Sequence, residues 1–249
     1  MEGNTPRKRK KRRKKHYLLK FLIFVALCVG LYFLLTSELF DVHKIEVSES
    51  SYFTSSQIIE KAGAKKGRNI FFETDAAEMK EKLLRDPYIR DADISRKLPA
   101  TLKISVDERT EAAVVPYSAT FIVIDGDGMV LKKTNTQPQL PLVEGLTIRK
   151  MNPGKPLEVE ENAVLTDTLK LLNALQESDI TFKKIDISNV IIKAYIYEQL
   201  VCQGSPEDIL ANIKNGNLEA VLYDLYKNGI QRGVVTVSGN DYCSFSPNV

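Results

Sequence analysis

Cysteine and histidine are scarce in this chain, three and two of its 249 residues. Cys28 lies in an apolar run, where it reads as a small apolar residue. That leaves Cys202 and Cys243, which could pair with each other but are no disulfide framework. His16 and His43 are isolated from each other and from both later cysteines, so no zinc ligand set is visible. Thirteen glycines and ten prolines are too few for a collagen-like or wholly disordered chain. No serine has a lysine three residues on, which removes the nucleophile motif of penicillin-binding transpeptidases. Without it, Ser238-Gly239-Asn240 and Lys227-Asn228-Gly229, faint likenesses of the other two motifs of such enzymes, read as a hairpin turn and a helix C-cap. Acidic residues are plentiful, but nothing singles out a carboxylate pair for glycoside hydrolysis. No catalytic, cofactor or metal site is therefore expected.

What is present is 43% apolar and 27% charged residues, enough for one large or two modest domains with ordinary cores. The net charge of +3 conceals an asymmetry. Residues 1–15 hold nine basic residues against Glu2, a charge of +8, and the remaining 26 basic and 31 acidic residues leave −5. The cations are consecutive: Arg7, Lys8, Arg9, Lys10, Lys11, Arg12, Arg13, Lys14 and Lys15. No aromatic interrupts them, so a base-stacking surface is not indicated and nucleic acid is not an expected partner.

Fifteen uncharged residues, Phe21 to Leu35, come soon after. A helix over Leu18 to Leu35 covers roughly 27 Å, close to the hydrocarbon thickness of a bilayer, and Lys20 in its first turn can snorkel to the headgroups. A core helix of a soluble protein would not directly follow nine cations. A cleavable signal peptide competes, but the apolar stretch is long and no Ala-x-Ala site follows it. The reading taken is an uncleaved signal anchor over residues 17–37. The basic run is then its topology signal, holding a tail of residues 1–16 in the cytoplasm and sending the rest outside.

The next ~70 residues read strand, helix, helix, strand, strand, a compact α+β unit. Ile45 and Val47 alternate with polar residues in a half-buried strand. Thr54 and Gln57 have capping-box spacing before the stripe Ile58, Ile59, Ala62, and Gly63 offers a left-handed closing residue. Asp75 and Glu78 repeat the capping-box spacing before Ala76, Met79, Leu83 and Leu84. Pro87 forces Asp86 out of the helical region, so that helix should stop near Arg85. Ile89, Ala92 and Ile94, then Leu102, Ile104 and Val106, form an antiparallel hairpin across Leu98-Pro99.

Four segments carry a family resemblance: Gly67-Arg68-Asn69-Ile70-Phe71, Asp86-Pro87-Tyr88-Ile89, Arg96-Lys97-Leu98-Pro99 and Ile104-Ser105-Val106-Asp107-Glu108-Arg109. In this order behind a polybasic anchor they resemble the FtsQ/DivIB family of bacterial cell-division proteins, whose first extracytoplasmic unit is a POTRA domain. The resemblance implies a POTRA domain over residues 41–110 and a β-rich domain with flanking helices over 115–249. The later segments agree. Phe121 to Leu131 reads as a hairpin around Asp125-Gly126-Asp127-Gly128. A calcium loop starting at Asp125 would need ligands where Met129 and Thr136 stand, so that stretch is a turn. Val164, Leu165, Leu169, Leu172 and Leu175 make a helix stripe. Ile185-Asp186-Ile187 and Ile191 to Leu200 read as strands. Ser205-Pro206 is an N-cap followed by an N1 proline. Leu218, Val221, Leu222 and Leu225 form a stripe closed by Gly229, and strands over Gly233 to Ser238 and Tyr242 to Ser246 end the chain. Two departures are visible: Thr236 where the family often has Asp, and Thr110-Glu111 where relatives commonly have a proline.

The resemblance also implies a function. Proteins of this family are non-catalytic, membrane-anchored scaffolds of the divisome that stabilise septum assembly. Their partners are two small coiled-coil division proteins, FtsL-like and DivIC/FtsB-like, and their chief contact surface is the last strands of the β domain. Carried onto this chain, Tyr242 and Phe245 would be aromatic anchors and Val235 and Val237 edge-strand positions, the alternative being that all four fill the core. Enrichment at the septum, no cofactor and no small-molecule substrate are implied as well. The competing functions are a POTRA-containing secretion or assembly component, for which one unit without repeats argues poorly, and a cell-wall hydrolase of unrecognised motif.

Overall fold

The protein is described from a computed structural model, covering residues 17–188, 190–239 and 242–247. The basic run Arg7 to Lys15 lies outside the described residues. The apolar stretch forms helix α1 (Tyr17–Leu35), 19 residues with none buried against the rest of the protein. Its length and composition suffice to cross a membrane.

The first sheet follows from local signals. Strand β1 (Lys44–Val47) leads into α2 (Ser55–Ala62), where Thr54 and Gln57 form the reciprocal capping box and Gly63 closes the helix at φ 69°. Helix α3 (Ala76–Leu83) starts at Asp75, whose carboxylate accepts the N–H groups of Ala77 and Glu78. Glu78 does not reach back to complete a box; it pairs with Lys82 at 2.6 Å. Leu84 caps α3, and Arg85 and Asp86 already lie in the turn that Pro87 imposes. Strands β2 (Ile89–Lys97) and β3 (Thr101–Glu108) pair antiparallel, and β1 adds parallel to β3, giving the order β1-β3-β2. Two helices between β1 and β2 make that parallel return possible. Ile58, Ile70, Leu83, Leu102 and Ile104 are fully buried between sheet and helices.

The second sheet has nine strands. In chain order they are β4 (Glu111–Tyr117), β5 (Thr120–Asp125), β6 (Val130–Thr134), β7 (Leu142–Glu144), β10 (Lys184–Asp186), β11 (Ile192–Tyr195), β12 (Gln199–Gly204), β13 (Arg232–Ser238) and β14 (Tyr242–Ser246). A separate small pair, β8 (Ile148–Lys150) with β9 (Glu158–Val159), precedes α4 (Asn162–Gln176). Helices α5 (Pro206–Lys214) and α6 (Asn217–Lys227) come between β12 and β13, with Ser205 accepting the Asp208 N–H at the start of α5. The spatial order is β14-β13-β12-β11-β10-β7-β4-β5-β6. Phe182, Ile185, Leu171, Leu172 and Ile192 fill the core between the sheet and its helices. Ile191 to Leu200 is not continuous strand: β11 and β12 turn back at residues 196–198, closed by the Ile196 N–H on the Leu200 carbonyl at 3.1 Å.

The two sheets meet at their chain junction. Only Arg109 and Thr110 separate β3 from β4. The outer face of the second sheet sends Val123 and Leu131 into the first domain's core. Arg109 spans the joint, with its Nη1 2.6 Å from Asp125 Oδ2 and 3.4 Å from Asp127 Oδ2. Asp125 is wholly buried; its other oxygen accepts the N–H groups of Asp127 (2.9 Å) and Met129 (2.7 Å). The Asp-Gly-Asp-Gly segment is therefore a turn whose first carboxylate is satisfied by a guanidinium and two amides. Beside it Tyr88 donates to Glu111 at 2.6 Å, Lys132 pairs with the same carboxylate at 2.6 Å, and the Tyr52 and Tyr88 rings stack 4.0 Å apart. Burial opposes ionisation of Glu111, but the hydrogen bonds from Lys132 and Tyr88 outweigh it and hold its carboxyl below the ordinary range.

Removing one member of a buried ion pair leaves the other charged and unpaired, at a cost of about 3–5 kcal/mol. Arg109→Ala should destabilise a fragment of residues 38–249 by about 3 kcal/mol in urea unfolding, and R109A/D125N should recover part of that loss.

Candidate interaction surface

The second sheet ends in β6 on one side and β14 on the other. Among the described residues β14 pairs antiparallel with β13 alone, in a register that sets Val235 opposite Phe245 and Val237 opposite Cys243. Every second main-chain N–H and C=O of an edge strand points away from its sheet, ready to pair with another strand. The strand is held in place from beneath. Asn212, the one polar residue on the buried stripe Ile209, Asn212, Ile213 of α5, is itself fully buried. Its amide donates to the carbonyls of Asp208 (2.9 Å) and Gly239 (2.7 Å), which fixes Gly239, just past the end of β13, onto α5. The sequence reading missed Asn212; a lone amide inside an apolar stripe was the available signal.

The four residues expected at a partner surface separate into two pairs. Val235 and Val237 lie on β13, one strand in from the edge, and their side chains are buried on the face that α5 covers. Tyr242 and Phe245 lie on β14 itself. Tyr242 faces the other side and is 60% exposed. Phe245 faces inward, half-buried, with its ring over Gly233. On the outer face of these strands Val234, Thr236 and Ser244 are half-buried, and Gln203 donates to Thr236 at 3.2 Å. Thr236, where the family often has Asp, thus ties β13 to β12. What the edge presents is the β14 main chain and the Tyr242 ring.

Cys202 lies on β12 opposite Val235, and Cys243 lies on β14 opposite Val237. A strand runs between them and they are two residues out of register, so their Cα atoms are further apart than the roughly 9.5 Å of two inter-strand steps. A disulfide needs less than about 7 Å, and both thiols are free. Burial, with Cys243 nearby, pushes the Cys202 thiol up to about 12, which makes it inert.

A concave feature of about 610 Å³ lies beside α6, lined by Ile180, Ile196, Tyr197, Leu222, Tyr223 and Tyr226 among others. Among the described residues no group of three or more His, Cys, Asp or Glu is placed to hold a metal ion. Asn228 and Gly229 close α6, the latter at φ 70°, and Ser238-Gly239 opens the β13–β14 turn.

Residues 40–109 match the family model described as POTRA domain, FtsQ-type. The chain is 27% identical to the cell division protein DivIB of Clostridium acetobutylicum over 195 residues, 75% of this chain and 74% of that protein. It is 34% identical to DivIB of Geobacillus kaustophilus over 143 residues, 55% and 53% of the two chains. Against the cell division protein FtsQ of Geobacter sp. strain M21 it is 27% identical over 213 residues, 81% and 76% of the two. The chain carries an FtsQ-type POTRA domain and is homologous to the DivIB and FtsQ cell-division proteins over most of its length.

Gly233 has φ +135°, and a Cβ there would strike the Phe245 ring and approach the Ser246 carbonyl. Gly233→Ala should cost about 1–3 kcal/mol in backbone strain alone. Urea unfolding of residues 38–249 measures that loss, and proteolysis should show β14 released first.

Proposed function

We propose that this homologue of DivIB and FtsQ is a non-catalytic, membrane-anchored scaffold of the bacterial divisome. In this reading residues 1–16 are a cytoplasmic tail oriented by the basic run Arg7 to Lys15, and residues 17–37 are the single membrane span. The POTRA domain (41–110) and β domain (115–249) lie outside, enriched at the septum. The scaffold binds FtsL-like and DivIC/FtsB-like coiled-coil proteins, takes no cofactor or small-molecule substrate, and carries out no reaction of its own.

The observation that carries the reading is the open edge at β14, presented by a chain whose relatives are cell-division proteins. A partner segment adding antiparallel or parallel to β14 gains main-chain hydrogen bonds without a deep pocket. Tyr242 offers ring area and a hydroxyl at the rim, a residue type enriched at contact centres. Phe245, Val235 and Val237 serve the same surface from within: their packing sets the twist and position of the strand that the partner meets. The buried Asn212 amide holds Gly239, where β13 ends, against α5.

Tyr242→Asp changes an exposed side chain, so stability should shift by no more than about 0.5 kcal/mol. Co-purification of the coiled-coil partners from membranes should nevertheless fall at least tenfold, which corresponds to about 1.4 kcal/mol of lost binding. Tyr223→Asp, on the exposed face of α6, should leave it unchanged. A fluorescently tagged wild-type chain should collect at mid-cell in dividing cells; an even spread around the membrane would contradict the divisome assignment.

A further inference from the structure

We infer that the end of the POTRA domain next to α1 is itself a membrane-contacting surface, resting on the outer-leaflet phospholipids through Leu39, Phe72 and Leu98. The inference rests on the reading of α1 as a membrane span with the POTRA domain outside.

The chain leaving α1 is not a free tether. The Asn69 amide donates to the Leu35 carbonyl at 2.8 Å, satisfying a carbonyl of the last helical turn. Residues 40–44 then run between two loops of the POTRA domain. On one side the Ile70 N–H donates to Phe40 (2.9 Å), the Gly67 N–H to Val42 (2.9 Å), and the Val42 N–H to Arg68 (2.9 Å). On the other side the N–H groups of His43 (2.9 Å) and Lys44 (3.2 Å) donate to Ala100 in the β2–β3 turn. The topology requires this turn to be there. Strand β3 runs parallel to β1, so both begin at the end of the domain where α1 arrives, and the turn before β3 faces the same way.

The depth of this end is set by α1. The Phe72 ring lies 6.2 Å from the ring of Tyr32. Tyr32 is three residues before the helix terminus, about 4.5 Å further towards the bilayer centre. A side chain that touches Tyr32 from outside the helix therefore sits at the level of the bilayer interface. Phe72 is 58% exposed, and Leu39 and Leu98, on the flanking turns, are each 57% exposed. Three large apolar side chains at one end of a small domain are unfavourable in water and suit the headgroup–acyl boundary. Exposed Lys65, Lys66 and Arg68 precede Phe72 in the same stretch between α2 and α3, and Lys97, 3.8 Å from Glu46, adjoins Leu98. These cations match lipid phosphates. Acidic groups are close as well: Glu38, Asp41 and Glu73 offset part of that charge, so the apolar contact carries the attachment and the lysines assist.

The chain contains no tryptophan, which permits a clean test in the full-length protein. Single-tryptophan variants F72W, L98W, Y32W and Y223W are reconstituted into vesicles of phosphatidylcholine and phosphatidylglycerol, with or without brominated acyl chains. Y32W reports on the span and Y223W on a surface remote from it. The expected result is that F72W and L98W are quenched by brominated lipid and emit at shorter wavelength than Y223W, which is unquenched. If Y32W is quenched while F72W or L98W matches Y223W, the end of the domain faces water or protein and the inference is overturned. If Y32W itself escapes quenching, the span reading fails, and the inference falls with it.

Discussion

The Arg109–Asp125 ion pair is the contact on which the relation between the two domains depends. A carboxylate wholly removed from water is tolerated because a guanidinium at 2.6 Å and two backbone amides meet its oxygens. Desolvation and attraction largely cancel in such a pair, so its contribution is geometric more than energetic. It fixes the residue that follows the POTRA sheet against the β5–β6 hairpin of the β domain. Val123 and Leu131 can then enter the POTRA core, and Glu108, one residue earlier, clamps the loop after β1 by accepting from Ser50, Ser51 and Tyr52. With only Arg109 and Thr110 between the sheets, a swivelling linker has no room.

That rigidity gives the nine-stranded sheet a spatial meaning. Strand β6 lies at one edge beside the POTRA contact and β14 at the other, eight inter-strand steps away. At roughly 4.8 Å per step the sheet places its open edge up to ~38 Å from the joint. The molecule has an apolar helix at one end and a strand available for pairing at the other. In the scaffold role proposed above, such a spacing converts attachment at one surface into a fixed position for a partner at another.

Much of the first domain was legible in the sequence because its signals are local. Thr54 with Gln57, Gly63, Pro87 and the alternation through Leu102, Ile104 and Val106 each act within a few residues, and the elements formed where they point. The second domain was less legible where burial is two-sided. In β4 the residues Ala112, Ala113, Val114 and Val115 are all buried: Ala113 and Val115 join the helices' core, and Val114 shares the opposite face with its partner Val123, which enters the POTRA core. Alternation disappears there, and the strand went unread. The turn at residues 196–198 was blurred for a related reason: Ile196 and Tyr197 pack on the core, so only Glu198 breaks the apolar character within it. At the candidate surface, the strands were readable but their order in space was not. Only the sheet topology separates Val235 and Val237, one strand in, from Tyr242 and Phe245 on the edge. Asn212 and the Arg109–Asp125 pair are long-range contacts that no local pattern announces.

The central claim is that β14 is the strand a division partner pairs with. Hydrogen exchange of the full-length protein in membranes, with and without the coiled-coil partners, tests it most directly, because outward-facing amides of an edge strand exchange freely until another strand accepts them. The account predicts slowed exchange in residues 242–246 on complex formation, with the POTRA strands unchanged. Unaltered exchange in β14 together with new protection elsewhere would contradict it.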